Sequence, residues 1–236
     1  MIKVLVWNEY YHEKEEPEIA KIYPDGIHGY LKSVLEDEFE VKTVIQEQDE
    51  HCGLTKELLD DTDVLVWWGH LRHAFVPDEV AAMVKDAVLR GLGVIFLHSA
   101  HYSKPFKMLM GTSCNLRWIE NAESEKLWNI NPAHPIARGI GDMVYLEHEE
   151  TYAEPFEIPH PDEEVFIGSF APGEVFRSGC CYKRGNGKIF YFQPGHEAYP
   201  TYYNKDIQKI LHNAVHWCYN EYRVPELACR RIIRNK

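Results

Sequence analysis

Short apolar runs alternate with segments of helical periodicity through the first 110 residues. Four runs rich in Val, Ile, Leu and Trp predict strands at 2–7, 39–45, 63–68 and 93–97, and the last of them has the composition of a strand buried on both faces. Segments with apolar positions at helical spacing predict helices at 26–36, 55–60, 77–90 and 103–110, with Asp25 and Thr55 as caps of the first two. The stretch 13–25 is charged and broken by two prolines, which predicts a loop. This alternation is typical of a doubly wound α/β fold, in which helices cover both faces of a mostly parallel sheet.

The second half of the chain has a different pattern. Strand-like runs separated by proline-rich loops lie at 115–119, 143–146, 165–169, 179–183 and 188–193. The sequence Arg-Gly-Asn-Gly at 184–187 predicts a hairpin between the last two runs. We therefore expect an added antiparallel edge, followed by a final helix at 205–219. The whole chain, 1–236, is predicted to form a single domain, with a basic tail from about residue 223.

Composition narrows the classes of function. The formal net charge of −12 argues against nucleic-acid binding, which needs a basic surface. No apolar run approaches 18 residues, so no membrane span is expected. The N-terminal residues enter a strand directly, without the layout of a signal peptide, which predicts a cytoplasmic protein. Six cysteines without a CxxC spacing are expected to be reduced and mostly buried.

Histidines are concentrated immediately after the predicted strands. Six of them share this position: His12, His70, His73, His98, His101 and His196. Parallel strands bring their carboxyl ends to one edge of the sheet, where ligands bind in open α/β folds. We therefore expect imidazoles that are distant in sequence to meet around the segment His-Ser-Ala-His at 98–101.

Two kinds of chemistry fit such a cluster. In the first, His98, His101 and His196 bind a divalent ion, with zinc as the expected metal, together with Glu150 from the carboxylate-rich segment 147–150. In the second, imidazoles and a carboxylate perform acid–base catalysis. The catalytic candidates are His98, His196 and Glu150, and the substrate-binding candidates are Ser99, His70, Tyr152 and Tyr199.

Other residues of the same types are expected to be structural. Ordinary hydrogen-bonding roles are predicted for His12, His51, His134, His160, His212 and His216. Trp7, Trp67 and Trp68 are expected in the core, at least two of them fully, whereas Tyr199, Tyr202 and Tyr203 are candidates for a pocket wall beside His196. Aromatic faces combined with imidazoles and carboxylates are typical of proteins that bind sugar rings.

The strand-to-turn junction at Leu97-His98-Ser99 invites comparison with a nucleophile elbow. Histidine stands where a catalytic cysteine would, and no GxSxG or GxCxG motif surrounds it. Ser99 with His196 as its base stays open as a third possibility, a serine-dependent hydrolase.

Three segments carry a family resemblance: GVIFLHSAH at 93–101, EETY at 149–152 and IFYFQPGHE at 189–197. Together they resemble the ThuA-like (trehalose utilisation) family of the class I glutamine amidotransferase-like superfamily, across about residues 1–220. The resemblance implies a flavodoxin-like fold and a role in sugar or disaccharide metabolism. It also places His98 at the superfamily's elbow cysteine and His196 at its late histidine, which implies that glutaminase activity is absent.

The leading hypothesis is an enzyme whose partner is a small-molecule sugar or oxidised sugar derivative. The alternative is a non-catalytic carbohydrate-binding or regulatory protein on an amidotransferase-like scaffold. Surfaces rich in Trp and Tyr make a homo-oligomer possible in either case.

Overall fold

The computed structural model describes residues 1–229 and 231–233. Within them the chain forms one nine-stranded sheet in the order β2-β1-β3-β4-β9-β8-β7-β5-β6. The strands are β1 (Lys3–Asn8), β2 (Glu40–Ile45), β3 (Val64–Trp68), β4 (Gly93–Leu97), β5 (Arg117–Asn129), β6 (Met143–Ala153), β7 (Glu163–Phe170), β8 (Val175–Arg184) and β9 (Gly187–Phe192). The helices are α1 (His12–Glu15), α2 (Pro17–Ile22), α3 (Gly26–Leu35), α4 (Lys56–Asp60), α5 (Asp78–Arg90), α6 (Lys104–Met110) and α7 (Lys205–Cys218).

The sheet has a parallel half and an antiparallel half. Strands β2, β1, β3, β4 and β9 pair in parallel. Strands β8, β7, β5 and β6 continue the sheet with antiparallel pairing. The mixed α/β fold with an added antiparallel edge is therefore confirmed. The predicted hairpin is confirmed as well, because Arg184 pairs with Gly187 across the turn between β8 and β9.

Alternate residues of the central strands enter two different cores. Val4 and Val6 of β1 pack in the core that α3 and α7 cover. Leu5 and Trp7 pack in the opposite core, beneath α5 and α6. Every residue of β3 and β4 is buried, because helices cover both faces of these strands. Trp7, Trp67 and Trp68 are core residues, as the apolar runs predicted.

The structure differs from the predicted elements before α3 and in the length of two strands. The stretch predicted as a loop contains α1 and α2, where Pro17 occupies the first turn of a helix and Ile19 is buried. Asp25 precedes α3 but makes no side-chain capping bond, whereas Thr55 does accept a hydrogen bond from the Leu58 amide.

Strands β5 and β6 are far longer than their apolar runs suggested. Many of their side chains are polar and exposed, which hides the strand periodicity. The EETY segment consequently lies within β6, beyond the end of the run predicted at 143–146.

Three further expectations concern membrane-spanning helices, the cysteines and the C-terminal tail. Among the described residues, no helix is both long and apolar enough to cross a membrane. The six cysteines are unpaired, and all except Cys229 are buried. Part of the predicted basic tail, residues 230 and 234–236, lies outside the described residues.

Candidate functional site

Three imidazoles from distant parts of the chain meet at the carboxyl edge of the parallel half of the sheet. His70 follows β3, His98 follows β4 and His196 follows β9. Their ring centroids lie 5.7 Å apart for His70 and His98, 5.0 Å for His70 and His196, and 5.2 Å for His98 and His196. Because β3, β4 and β9 run in parallel, their next residues converge at the same edge.

His98 occupies a strained turn at the centre of this group. Its φ of +52° lies in the left-handed region, which non-glycine residues adopt at a cost of about 1–3 kcal/mol. The side chain is fully buried, and its Nδ1–H donates to the carbonyl oxygen of Gln193 at 3.0 Å. Nε2 lies 3.1 Å from Glu150 Oε2. Burial lowers the pKa of His98, but the adjacent Glu150 carboxylate outweighs it and raises that pKa to about 9.

The contact between His98 and Glu150 leaves hydrogen-bonding capacity unused. His98 Nε2 and Glu150 Oε2 are buried, and neither makes a hydrogen bond of acceptable geometry although they are 3.1 Å apart. Together with His70 and His196 they offer four ligand atoms that lie within 4.8 Å of one another. These four groups could hold one cation if their side chains moved closer together, since zinc–nitrogen and zinc–oxygen bonds are about 2.0–2.2 Å long.

Two of the imidazoles have a fixed tautomer. His70 Nδ1 lies 2.6 Å from Glu197 Oε1, and the same carboxylate oxygen lies 2.7 Å from Nδ1 of His12. Burial raises the pKa of Glu197, but the hydrogen bonds from His12 and His70 hold it well below its usual value. His70 and His98 each direct Nδ1–H at an oxygen, so Nε2 is the nitrogen left to face a ligand; on His98, whose pKa is about 9, Nε2 would have to lose its proton before it binds a cation.

His196 is held differently from the other two imidazoles. Its Nδ1 accepts a hydrogen bond from the Ala198 amide at 3.1 Å, and its Nε2 lies 3.2 Å from Glu120 Oε2. The hydroxyl of Tyr199 donates to the other oxygen of Glu120. Burial lowers the pKa of His196 to about 4, and the neighbouring His98 and His70 act in the same direction. The ring is therefore a neutral imidazole at the rim of the cluster.

A buried carboxylate anchors the loop that carries His70. Glu9, which is 2% exposed, follows β1 at the same sheet edge. Its Oε2 accepts the amides of His70 and Arg72 at 2.9 and 2.8 Å, and its Oε1 accepts the amide of Leu71 at 3.0 Å. Three successive backbone donors thus converge on one side chain, which fixes the position of His70.

A second buried carboxylate anchors the loop that carries His196. Glu149 is fully buried, and its Oε2 accepts the Gly195 amide at 3.0 Å and the Thr201 hydroxyl at 2.9 Å. Its Oε1 accepts the amides of His196 and Glu150 at 3.1 and 3.2 Å. The sequence pointed to Glu149 only as a member of the carboxylate-rich segment 147–150 and of EETY, and it gave Glu9 no role, because nothing in the local pattern distinguishes an anchoring glutamate from an exposed one.

A cavity of about 300 Å³ adjoins the cluster. Its lining combines hydroxyl, imidazole, amide and apolar groups: His70, Leu71, His73, Ser99, His101, Tyr102, Asn115, Leu116, Trp118, Glu150 and Tyr152. Of the predicted substrate-binding residues, His70, Ser99 and Tyr152 line this cavity. The fourth, Tyr199, lies instead beside His196 and Glu120.

Two predicted roles need correction on the geometry. His101 is absent from the group of potential metal ligands, because its ring lines the cavity and its Nδ1–H donates to the Cys114 carbonyl at 2.8 Å. His70, predicted to bind substrate, stands in that group instead of His101. Ser99 has no imidazole among its hydrogen-bond partners, since its hydroxyl lies 2.7 Å from the Tyr152 hydroxyl. A serine nucleophile with His196 as base is therefore not assembled.

The remaining residues separate into those near the cluster and those elsewhere. Tyr202 is buried beneath Gly195, and Tyr203 stacks near Tyr23 and Tyr30, so neither forms a pocket wall. His12 supports Glu197, whereas five other histidines lie outside both the cavity and the cluster: His51, His134, His160, His212 and His216.

The sequence and the fold match known proteins. The sequence model of the ThuA family, described as trehalose utilisation, matches residues 3–218. No curated protein matches the sequence significantly. Among solved structures, a ThuA-like protein from Parabacteroides merdae superposes with a TM-score of 0.70 and 16% identity, over 95% of this chain and 93% of that one.

Two further structures extend the comparison. A cytoplasmic protein from Salmonella typhimurium has a TM-score of 0.63 and 13% identity, over 93% of this chain and 100% of that one. A glutamine amidotransferase from Thermotoga maritima has a TM-score of 0.58 and 11% identity, over 92% of this chain and 97% of that one. At these identities the likeness concerns the fold alone, which is the amidotransferase-like, flavodoxin-type fold that the sequence predicted.

Proposed function

We propose that this chain, which belongs to the ThuA family, is an enzyme that acts on a sugar or an oxidised sugar derivative at a divalent metal centre. The proposed ligands are His70, His98, His196 and Glu150. The observation that carries the proposal is the pair of buried atoms His98 Nε2 and Glu150 Oε2, which lie 3.1 Å apart without a hydrogen bond of good geometry and within 4.8 Å of ligand atoms of two further imidazoles.

The donor set of imidazole nitrogens and one carboxylate oxygen suits zinc. Zinc bound there would polarise a carbonyl oxygen or activate a water molecule. Glu197 and the Gln193 carbonyl hold the rings of His70 and His98 in the ligating tautomer. To bind the metal, His196 would have to lose the hydrogen bond that its Nδ1 accepts from the Ala198 amide. Otherwise it would lie beside a metal centre held by His70, His98 and Glu150.

The proposal includes the absence of glutaminase activity. The elbow position carries His98 rather than a cysteine thiol. The thiol in the segment next to the cavity, Cys114, is buried, and burial raises its pKa, which disfavours the reactive thiolate.

The cytoplasm is the proposed location. Six unpaired cysteines, five of them buried, are typical of a reducing compartment. The Salmonella typhimurium protein of similar fold is described as cytoplasmic.

Elemental analysis of untagged protein tests the metal centre. We expect about one zinc per chain and a lower melting temperature in chelator, with both effects lost in His98→Ala. His51→Ala, at an exposed histidine outside the cluster, serves as the matched control. No stoichiometric metal, together with unchanged melting in chelator, would contradict the metal centre.

Turnover of sugars and oxidised sugars, followed by NMR, separates an enzyme from a binding protein. We expect His98→Ala to reduce turnover by orders of magnitude while the protein stays folded. A sugar that binds the wild-type protein but is never converted would favour the non-catalytic alternative.

A further inference from the structure

A second group of ligand-type side chains includes His70 but none of the other proposed metal ligands. It consists of His12 in α1, His70 after β3 and Glu197 after β9, whose ligand atoms lie within 4.8 Å of one another. Glu197 Oε1 lies 2.7 Å from His12 Nδ1 and 2.6 Å from His70 Nδ1. His12 is 6% exposed and Glu197 is 2% exposed. Two imidazoles and a glutamate are also the protein ligands of several zinc sites.

Two buried atoms of this group have no hydrogen-bond partner. Both Nδ1 atoms face a single carboxylate oxygen, and only the contact of His70 has the geometry of a hydrogen bond. His12 Nδ1 is buried and unpartnered at 2.7 Å from that oxygen, and Glu197 Oε2 is buried and unpartnered as well. Buried polar atoms are normally satisfied, so unsatisfied ones call for an explanation such as an ion.

The charge around His12 favours a cation. Burial lowers the pKa of the ring, but the carboxylates of Glu197, Glu16 and Glu9 outweigh burial and raise that pKa above its usual value. In the part of the chain that the structure describes, none of these carboxylates forms an ion pair with a lysine or an arginine. Three carboxylates without a paired cation produce a negative potential that attracts a divalent ion.

His70 belongs both to this group and to the proposed metal centre. Its Nδ1 faces Glu197, which leaves Nε2 for the centre that contains His98 and Glu150. Glu9 accepts the amide of His70 and the two amides that follow it, which fixes the backbone of this residue between the two groups. The two ring nitrogens of an imidazole are distinct metal-binding atoms, and a ring that has lost both N–H protons binds an ion at each of them.

Taking the proposed metal centre as its premise, we propose that His12, Glu197 and His70 Nδ1 form a second site for a divalent ion, with the His70 ring as the bridge between two ions. When the second ion binds, the Nδ1 proton of His70 passes to solvent and the ring becomes an imidazolate. The second site is the weaker one, because its ion displaces that proton and lies near the charge of the first ion. Purified protein therefore holds the first ion, and the second binds when zinc or copper(II) is added.

Equilibrium dialysis against zinc, followed by elemental analysis, tests the second site. We expect wild-type protein to take up a second zinc per chain, and His12→Gln to stop at one. Glutamine removes the ring nitrogen but keeps an amide that donates to Glu197, so the support of His70 is retained. His160→Gln, the same substitution at an exposed histidine outside both groups, is the control and should still bind two.

Electron paramagnetic resonance of copper-loaded wild-type protein tests the bridge without any substitution. Two copper(II) ions joined by one imidazolate are magnetically coupled, so the signal of the doubly loaded protein should be much weaker than that of two isolated ions. His12→Gln with a single copper should give the full signal of one isolated ion. A second ion that binds elsewhere on the surface would leave the two signals independent.

Three results would overturn the second site: wild-type protein that stops at one ion, His12→Gln that still binds two, or two copper ions without coupling. The proposed function survives these results if the first ion is lost in His98→Ala. Conversely, a single ion that is lost in His12→Gln and retained in His98→Ala would refute the proposed centre and support the second site. Protein that binds no ion under any condition would refute both.

Discussion

Glu149→Gln is the substitution that most directly tests how the cluster is built. It replaces a buried carboxylate by an amide of nearly the same shape and leaves the proposed ligands unchanged. In the native protein three backbone amides and the Thr201 hydroxyl donate to the two oxygens of Glu149, and the hydroxyl is the one group of the four that can also accept. Burial raises the pKa of Glu149, but a proton on this carboxyl would cost at least one of these donated hydrogen bonds, so we expect the charged form.

The loss of stability in Glu149→Gln depends on which of the two Glu149 oxygen positions the amide nitrogen of the glutamine takes. At the Oε2 position the Thr201 hydroxyl can rotate and accept, which leaves one unpaired donor, the Gly195 amide. At the Oε1 position two backbone amides would be unpaired, at His196 and Glu150. The glutamine should take the first orientation. One buried unsatisfied donor then destabilises the fold by about 1–3 kcal/mol.

The same substitution should displace the 195–196 loop, which Glu149 holds through two backbone amides, and should therefore also weaken metal binding. Groups that orient metal ligands typically contribute 10- to 100-fold to metal affinity. Urea unfolding in chelator measures the stability, and competition with a chromophoric chelator measures the zinc affinity. Glu147→Gln, an exposed neighbour in β6, is the control and should change neither quantity.

A different result would refute this reasoning. If Glu149→Gln were as stable as the wild-type protein and bound zinc equally well, Glu149 would have to be protonated in the native state. A loss of stability without any loss of zinc affinity would show that the 195–196 loop does not position the metal ligands.

Two further predictions concern stability. Gly195 has φ +130°, and a Cβ there would lie 2.1 Å from Tyr202 Oη, so Gly195→Ala should lower the melting temperature strongly, whereas Gly141→Ala, with open space around it, should not. Because the folded pKa values of His73 and His101 are about 3, that of His196 is about 4, and unfolded imidazoles titrate near 6.5, stability should fall as pH drops below 6.5. The loss at pH 5 is about 2 kcal/mol per ring at most. Unfolding measured against pH checks this, and His101→Asn should remove the share of one of these three rings.

The parallel half of the fold and the location of the site could be predicted because both follow from local patterns. Continuous apolar runs identify buried strands, and residues that come directly after parallel strands must share one edge of the sheet. His70, His98 and His196 were found in this way. The full length of strands β5 and β6 could not be predicted, because many of their side chains are polar and exposed and do not alternate clearly with apolar ones.

The assignment of ligands within the cluster depended on distances that the sequence does not contain. His98 and His101 are three residues apart at the same turn, yet the 3₁₀ turn at His98–Tyr102 directs only His98 to the centre. His12 gave no local signal for its partner, because Glu197 lies 185 positions along the chain. Such contacts are decided by tertiary packing and not by spacing.

The charge of the interior gives an independent argument for a cation at this edge of the sheet. Six glutamates are buried among the described residues: Glu9, Glu13, Glu125, Glu149, Glu150 and Glu197; of these, burial raises the pKa of Glu125 well above its usual value, which favours its neutral form. The described chain buries no lysine or arginine, so imidazoles and backbone amides are the compensating groups. Burying uncompensated carboxylates is costly, and the raised pKa of His98 is one response, since a proton on its ring offsets the charge of Glu150. A divalent ion would replace that proton with a larger positive charge at the same position. Metal binding should therefore release a proton and become tighter as pH rises toward 9.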